Sequence, residues 1–375
     1  MQQLVLDTLP FSSWGLGMTR PLLIAGPCSA ESETQVLATA QGIVEHTPQV
    51  KVFRAGVWKP RTRPGGFEGR GDAALPWLQR VKMETGLLTM VEVATPEHVE
   101  AALKAGIDLL WIGARSTPNP FTVQAIADAL RGVDVPVFVK NPINPDLQLW
   151  IGALERLSGA GIRRLAAVHR GFSWFERTPY RNSPMWEFPI RLKATFPALE
   201  LMCDPSHIAG STARLGEIAQ QALDLGFSGL MVETHEAPWN ALSDAAQQVT
   251  PAALADLFAS LAFRAAVPHR AEADKLGELR DLIDQLDEEI VQKLGSRMAI
   301  SERIGELKLE HNLAILQPER WASIMHRQLV LARELGLSPA FVEEFMNAVH
   351  KESIRRQSAA WEGQRLAQDS EDRRG

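Results

Sequence analysis

The chain has 375 residues, 45% of them hydrophobic, and a formal net charge of −6. A (β/α)8 barrel takes about 250 residues, so this length holds one such domain and leaves roughly a hundred residues for something else. The acidic balance argues against a general nucleic-acid or anionic-membrane surface, and two cysteines, Cys28 and Cys203, imply no disulfide framework. The first twenty residues hold Asp7 and no basic residue before Arg20, unlike a secretory signal, and no apolar run reaches bilayer length. The expectation is a cytoplasmic protein acting on small molecules, with neither a nucleic-acid nor a membrane partner.

From about residue 20 to 263, short apolar runs alternate with longer amphipathic stretches. The runs fall at 22–25, 50–53, 87–93, 109–112, 135–139, 164–168, 199–202 and 229–232. Eight buried-strand candidates separated by helical segments suggest a parallel sheet, and eight is the number that closes a (β/α)8 TIM barrel. An open doubly wound sheet is the alternative. Residues 1–263 are read as this α/β domain. Residues 264–273 lack apolar periodicity, contain Pro268 and read as a linker.

From Asp274, which suits a helix N-cap, the rhythm is purely helical. Leu276, Leu279, Ile283, Leu286, Ile290 and Leu294 recur at three- and four-residue spacing, and Met298 and Ile304 extend the stripe. A helix of about 35 residues needs a partner along its length. Two shorter helices are expected near 318–335 and 338–360, giving an all-α unit over 274–362. The polar tail 363–375 is expected to be disordered.

In a barrel, functional groups collect where strands run into the following loops. Here nearly every strand end carries such a residue: Cys28 in Gly26-Pro-Cys-Ser-Ala-Glu, Arg54 and Lys59-Pro-Arg-Thr, Glu92, Arg115, Lys140, Arg170, Asp204-Pro-Ser-His207, and Glu233 with Asp244 beyond. Two sets emerge. Cys28, His207, Glu233 and Asp244 offer sulfur, nitrogen and two carboxylates, which suits a divalent transition metal better than magnesium or calcium. Taken singly, each reads more readily as core packing or a hydrogen-bonded surface group. Arg54, Lys59, Arg61, Arg115, Lys140 and Arg170 would repel one another around one mouth unless anions lay between them. A lysine at a strand end also suits a Schiff-base aldolase, the competing reading of Lys140.

These motifs, in their order and spacing over residues 15–263, resemble the DAHP (3-deoxy-D-arabino-heptulosonate 7-phosphate) synthases, in particular the compact type Iβ. The resemblance implies condensation of phosphoenolpyruvate with erythrose 4-phosphate. It assigns Cys28, His207, Glu233 and Asp244 to one divalent metal (manganese, iron, cobalt or zinc). It assigns Arg54, Lys59, Arg115, Lys140 and Arg170 to phosphoenolpyruvate, with Lys140 as clamp and proton donor. Arg61 and Thr62 fall to the aldose phosphate. The Lys59-Pro-Arg-Thr run separates this reading from the octulosonate 8-phosphate synthases, which resemble one another there in a Lys-Ala-Asn-Arg-type run. Residues before about 20 are too few for the N-terminal regulatory domain of some relatives, and Cys203 takes a packing role.

The helical part, with Arg280, Arg297, Lys308, Gln317-Pro-Glu-Arg320 and Glu352-Ser-Ile-Arg-Arg-Gln357, resembles the all-helical (AroQ-class) chorismate mutases over 274–362. Ser353 and Gln357 share one helical face. The resemblance implies that Arg280, Arg297, Arg320 and Ser353 hold carboxylates, while Lys308 and Gln357 face the ether oxygen of chorismate. It also implies a homodimer, or a higher oligomer built on it, in which Arg280 reaches the partner's site. Gln317 and Trp321 depart from acids in other members, which puts the hydroxyl contacts and turnover in doubt. A helical unit that only senses chorismate or prephenate, feeding back on the barrel, and a bare oligomerisation coil are the alternatives.

Overall fold

The computed structural model describes residues 6–18, 20–59, 65–175, 178–264 and 270–372, and the chain forms two compact units, Met1–Ala266 and Val267–Gly375. In the first, β1 (Leu22–Gly26), β2 (Val52–Ala55), β3 (Leu88–Val93), β4 (Leu109–Ile112), β5 (Val137–Lys140), β6 (Leu165–His169), β7 (Glu200–Cys203) and β8 (Gly229–Glu233) pair in parallel, in chain order, into a closed barrel. Each apolar run becomes a strand, and the open-sheet alternative falls away because β8 pairs with β1 through five residues. The outer layer is α1 (Glu33–His46), α2 (Leu75–Thr85), α3 (Pro96–Lys104), α4 (Pro120–Ala129), α5 (Leu147–Gly159), α6 (Glu187–Thr195), the short α7 (Pro205–Ala209), α8 (Leu215–Asp224) and α9 (Pro251–Ser260). Local signals start them: Ser32, Thr95, Asn119, Asp146, Asp204 and Thr250 each cap a first-turn N–H, four of them followed by proline.

The period of two along each strand divides the core. Outward residues such as Phe53, Val91, Val139 and Leu230 pack under the helices, while Val52, Met90, Phe138, Met202 and Met231 fill the barrel interior. Two residues further along the same inward face come Arg54, Glu92, Lys140, Asp204 and Glu233. The alternation that builds the core thus lifts five charged groups to the carboxyl end of the barrel. The opposite end is closed by Phe11, Trp14 and Met18, with Phe11 and Trp14 packed on Phe138. Buried Glu200 accepts the Phe11 N–H and pairs with Arg20 at 2.7 Å.

The second unit is α10 (Arg270–Glu310), α11 (Pro318–Glu334) and α12 (Pro339–Asp372). Helix α10 begins within the expected linker, so Asp274 lies inside the helix instead of capping it. Helix α12 continues past residue 360, and the tail expected to be disordered is helical to Asp372. Both extensions have the same cause: Ala, Glu, Gln, Arg and Leu keep helical backbone even where no apolar stripe marks it. Cys203 is fully buried and packs on the helix-facing side of its strand, as expected.

Candidate functional site

Cys28 follows β1, Glu233 ends β8 and Asp244 lies on the loop beyond it. Their ligand atoms fall within 4.8 Å of one another, with Cys28 Sγ 3.3 Å from Asp244 Oδ2. Gly26 allows this approach: at φ +145° its missing Cβ leaves room for the Arg54 carbonyl, which a real Cβ would overlap at 2.1 Å. Asp244 itself sits at φ +49°, a conformation that a non-glycine residue keeps only when its surroundings impose it. The imposing contacts are clear. Arg181 donates to Asp244 Oδ1 at 3.0 Å and to Gln247 at 2.6 Å, and Gln247 donates to Glu233 at 2.7 Å.

Burial, then Glu233, pushes the Cys28 thiol up to about 12. A thiolate at pH 7 would then cost about 7 kcal/mol, which a directly bound cation offsets. Burial also disfavours ionised Asp244, yet Arg181, His207 and Lys59 outweigh it and hold the carboxyl below its usual range. The donor set of sulfur and two carboxylates, buried and charge-balanced by surrounding cations, fits a divalent transition metal. His207 stands at the edge of this trio, its Nε2 3.8 Å from Glu233 Oε1. Its Nδ1 lies 2.8 Å from Asp204, which also binds Lys140 Nζ at 2.6 Å. A carboxylate behind an imidazole is the arrangement that orients metal-binding histidines.

Beside the trio lies a cavity of about 330 Å³ lined by Lys59, Glu92, Arg115, Lys140, Arg170, Arg181, His207 and Asp244, among others. Arg170 is held from behind by Asn182 at 2.7 Å, and burial lowers its guanidinium to about 10. Lys59 Nζ bonds the Cys28 carbonyl at 2.9 Å and Sγ at 3.1 Å. Arg54 lies deeper, off the cavity wall, paired with Glu233 at 3.0 Å. Arg61 and Thr62 lie outside the described residues. Sequence reasoning passed over Arg181 and Asn182, on an irregular loop, and Gln247, at the end of a single 3-10 turn, none with a periodic pattern, and gave Asp204 no role.

The helical unit holds a separate cavity of about 480 Å³. Arg297, Lys308, Arg320, Ser353 and Gln357 line it, with Gln317, Trp321 and His350. Arg297 donates to Ser353, and Lys308 Nζ donates to the Ile315 carbonyl at 2.6 Å. Gln357 is buried and its Oε1 has no partner among the described residues. Trp321 stacks on His350 at 3.9 Å, and no acidic side chain lines the cavity among the described residues. Arg280 is not on its wall: seventeen residues before Arg297 on one helix, it lies about 25 Å away along the axis.

Known proteins bear on both units. A phospho-2-dehydro-3-deoxyheptonate aldolase of Thermotoga maritima is 29% identical over 227 residues, 60% of this chain and 64% of that relative, so the match spans less than two thirds of its length. A 2-dehydro-3-deoxyphosphooctonate aldolase of Geobacter metallireducens is 30% identical over 251 residues, covering 62% of this chain and 89% of the relative. The crystal structure of the Thermotoga maritima DAHP synthase superposes with a TM-score of 0.58 at 26% identity, over 65% of this chain and 68% of that one. The chorismate mutase type II model matches residues 279–358, the three helices around the second cavity. The DAHP synthetase I model matches residues 15–262, the whole of the barrel, and the chain belongs to that family.

Proposed function

We propose that the barrel condenses phosphoenolpyruvate with erythrose 4-phosphate and water to give DAHP and inorganic phosphate, and that the helical unit rearranges chorismate to prephenate. The observation that carries the first half is the ring of Lys59, Arg115, Lys140 and Arg170 around one cavity whose wall also bears His207 and Asp244. Arginine forks suit the phosphate and carboxylate oxygens of phosphoenolpyruvate. Cys28, Glu233 and Asp244, with His207, would hold a divalent transition metal, which when bound supplies Lewis-acid polarisation of the aldehyde. Arg115, Arg170 and Lys59 fix the enol phosphate with C3 toward that aldehyde, in near-attack geometry. Lys140, held by Asp204, balances the developing charge and carries a proton to the new alkoxide oxygen. Water adds at C2, and phosphate leaves against the same cations. Lys140 bonded to a buried carboxylate is ill placed as the neutral amine a Schiff base needs. The Lys59-Pro-Arg-Thr run favours the four-carbon aldose over arabinose 5-phosphate.

Chorismate rearrangement needs no nucleophile or metal, only donors that favour the compact dianion and the charge growing on its ether oxygen. Arg297, Arg320 and Ser353, on the cavity wall, would hold carboxylates, and Lys308 and Gln357 would face the ether oxygen. Arg280 would come from a second copy, which makes the unit a homodimer. Among the described residues, four buried apolar side chains, Met298, Ala332, Val342 and Val349, are a small core for three long helices, while Leu279, Ile283, Leu286 and Ile290 are each at least half exposed on α10. A second reading rests on the acid-free wall at Gln317 and Trp321: a unit that binds chorismate or prephenate and turns it over slowly. No described helix is long and apolar enough to cross a membrane; two free cysteines support a cytoplasmic setting.

One assay series tests the reading. Chelation, or Cys28→Ala, should abolish DAHP formation and metal content together while chorismate absorbance still falls at the wild-type rate. Erythrose 4-phosphate should be consumed far faster than arabinose 5-phosphate. Full synthase activity after chelation would overturn the ligand set, and a pentose preference would overturn the substrate.

A further inference from the structure

Trp111, on β4, is an inward side chain of the barrel's upper layers whose size and chemistry the condensation does not call for. It is 1% exposed and packs with the inner core residues Met90, Leu109 and Phe138. Its register partners are Glu92 on β3 and Phe138 on β5. Two cations lie over its ring: the Arg54 guanidinium at 4.8 Å from the centroid and the Lys140 ammonium at 5.8 Å. Its indole N–H is buried without an acceptor among the described residues.

That last fact selects among explanations. A buried donor left unpaired is a cost that phenylalanine, leucine or methionine would avoid at the same position. A simple filler would therefore not be an indole. What the indole alone provides is the most electron-rich face of any side chain, and cations over it are attracted most strongly once water is excluded. We propose that Trp111 is a positioning residue for the anion-binding end of the barrel. Its face holds Arg54 and Lys140 apart and charged without consuming their hydrogen-bond donors. Lys140 spends one donor on Asp204 and keeps the rest for a carboxylate or phosphate in the cavity, while Arg54 beneath it donates to Glu233 and to the Cys28 carbonyl. Arg54 keeps its link to Glu233, and Lys140 its link to Asp204, so one ring braces both halves of the site. The inference rests on the assignment of these cations to phosphoenolpyruvate.

The test uses the full chain with its metal. Trp111→Leu removes the ring, and should raise KM for phosphoenolpyruvate about ten-fold, as expected for losing two buried cation–π contacts. KM for erythrose 4-phosphate and chorismate turnover should stay at wild-type values. Trp111→Phe keeps a weaker face and should fall between wild type and leucine. Equal changes in both KM values, or none, would overturn the proposal. Should the leucine variant not fold, wild-type protein labelled with 5-fluorotryptophan serves, its Trp111 fluorine signal assigned through Trp111→Phe. That signal should move on adding phosphoenolpyruvate alone and stay still with erythrose 4-phosphate alone. A still signal in a protein that forms DAHP refutes the role of Trp111 and leaves the function standing. A moving signal in a protein that forms none refutes the function and keeps the brace.

Discussion

His169 ends β6 immediately before the cavity residue Arg170, yet its ring points the other way. It is fully buried in an aromatic box of Trp150, Phe172, Trp186 and Phe227. Burial, above all, pushes its imidazole down to about 3. In the unfolded chain the same ring titrates near 6.5, so between these values only the unfolded state binds the proton. Stability from this group is complete above pH 6.5 and is lost as pH falls toward 3. Between pH 7 and 5 the expected loss is about 2 kcal/mol. His169→Phe suits the box and cannot titrate. Denaturant unfolding at both pH values should show the variant gaining about that amount relative to wild type as pH drops. Parallel pH profiles would mean that the ring reaches solvent or a proton acceptor.

At the scale of elements, α10 carries the clearest demand for a partner. Leu279, Leu282, Ile283, Leu286 and Ile290 lie on its solvent side, each half or more exposed, and none belongs to the buried core. An aspartate in this stripe is harmless on a free surface and costly in an interface. If the proposed homodimer forms through this stripe, Leu286→Asp should give a monomer in sedimentation, and mutase activity should fall with it because Arg280 would then serve no second site. The synthase rate is expected to hold. A dimer that survives with full mutase activity would place both the interface and Arg280 elsewhere. The helix ends carry a related lesson. The apolar stripe marked α10 from Leu276, but Arg270 to Ala273 are helical through propensity alone, and α12 runs to Asp372 for the same reason. Periodicity reports an apolar stripe, so it misses helix whose sequence carries none.

At the scale of the whole molecule, two ligand cavities on one chain invite control of the first reaction by the product of the second. Prephenate is expected to inhibit DAHP formation through the pocket around Arg297 and Lys308, with a coupling of about 1–3 kcal/mol. Arg297→Ala should abolish mutase activity and desensitise the synthase to prephenate, with the uninhibited rate intact. Synthase assays titrated with prephenate decide it; inhibition unchanged in the variant would put the effector site elsewhere. Much of this architecture was legible in the residues. Val52 with Arg54 and Phe138 with Lys140 encode core and site on one face through a period of two. Arg181 was illegible because it acts from a loop, where neighbours in space are far apart in the chain: Asp244 is 63 residues away. Trp111 looked like core because by burial it is core; its second role depends on which cations lie above.

The stopper of Phe11, Trp14 and Met18 gives the barrel the plan of a flask. With one end corked by tightly packed rings, reactants and products share a single doorway at the other. The floor of that doorway is the packed interior itself, Val52, Met90, Phe138, Met202 and Met231, which the plug seals from below. On the proposed reading, the anion on the deep cations is expected to arrive before the aldose phosphate, which product-inhibition kinetics would check.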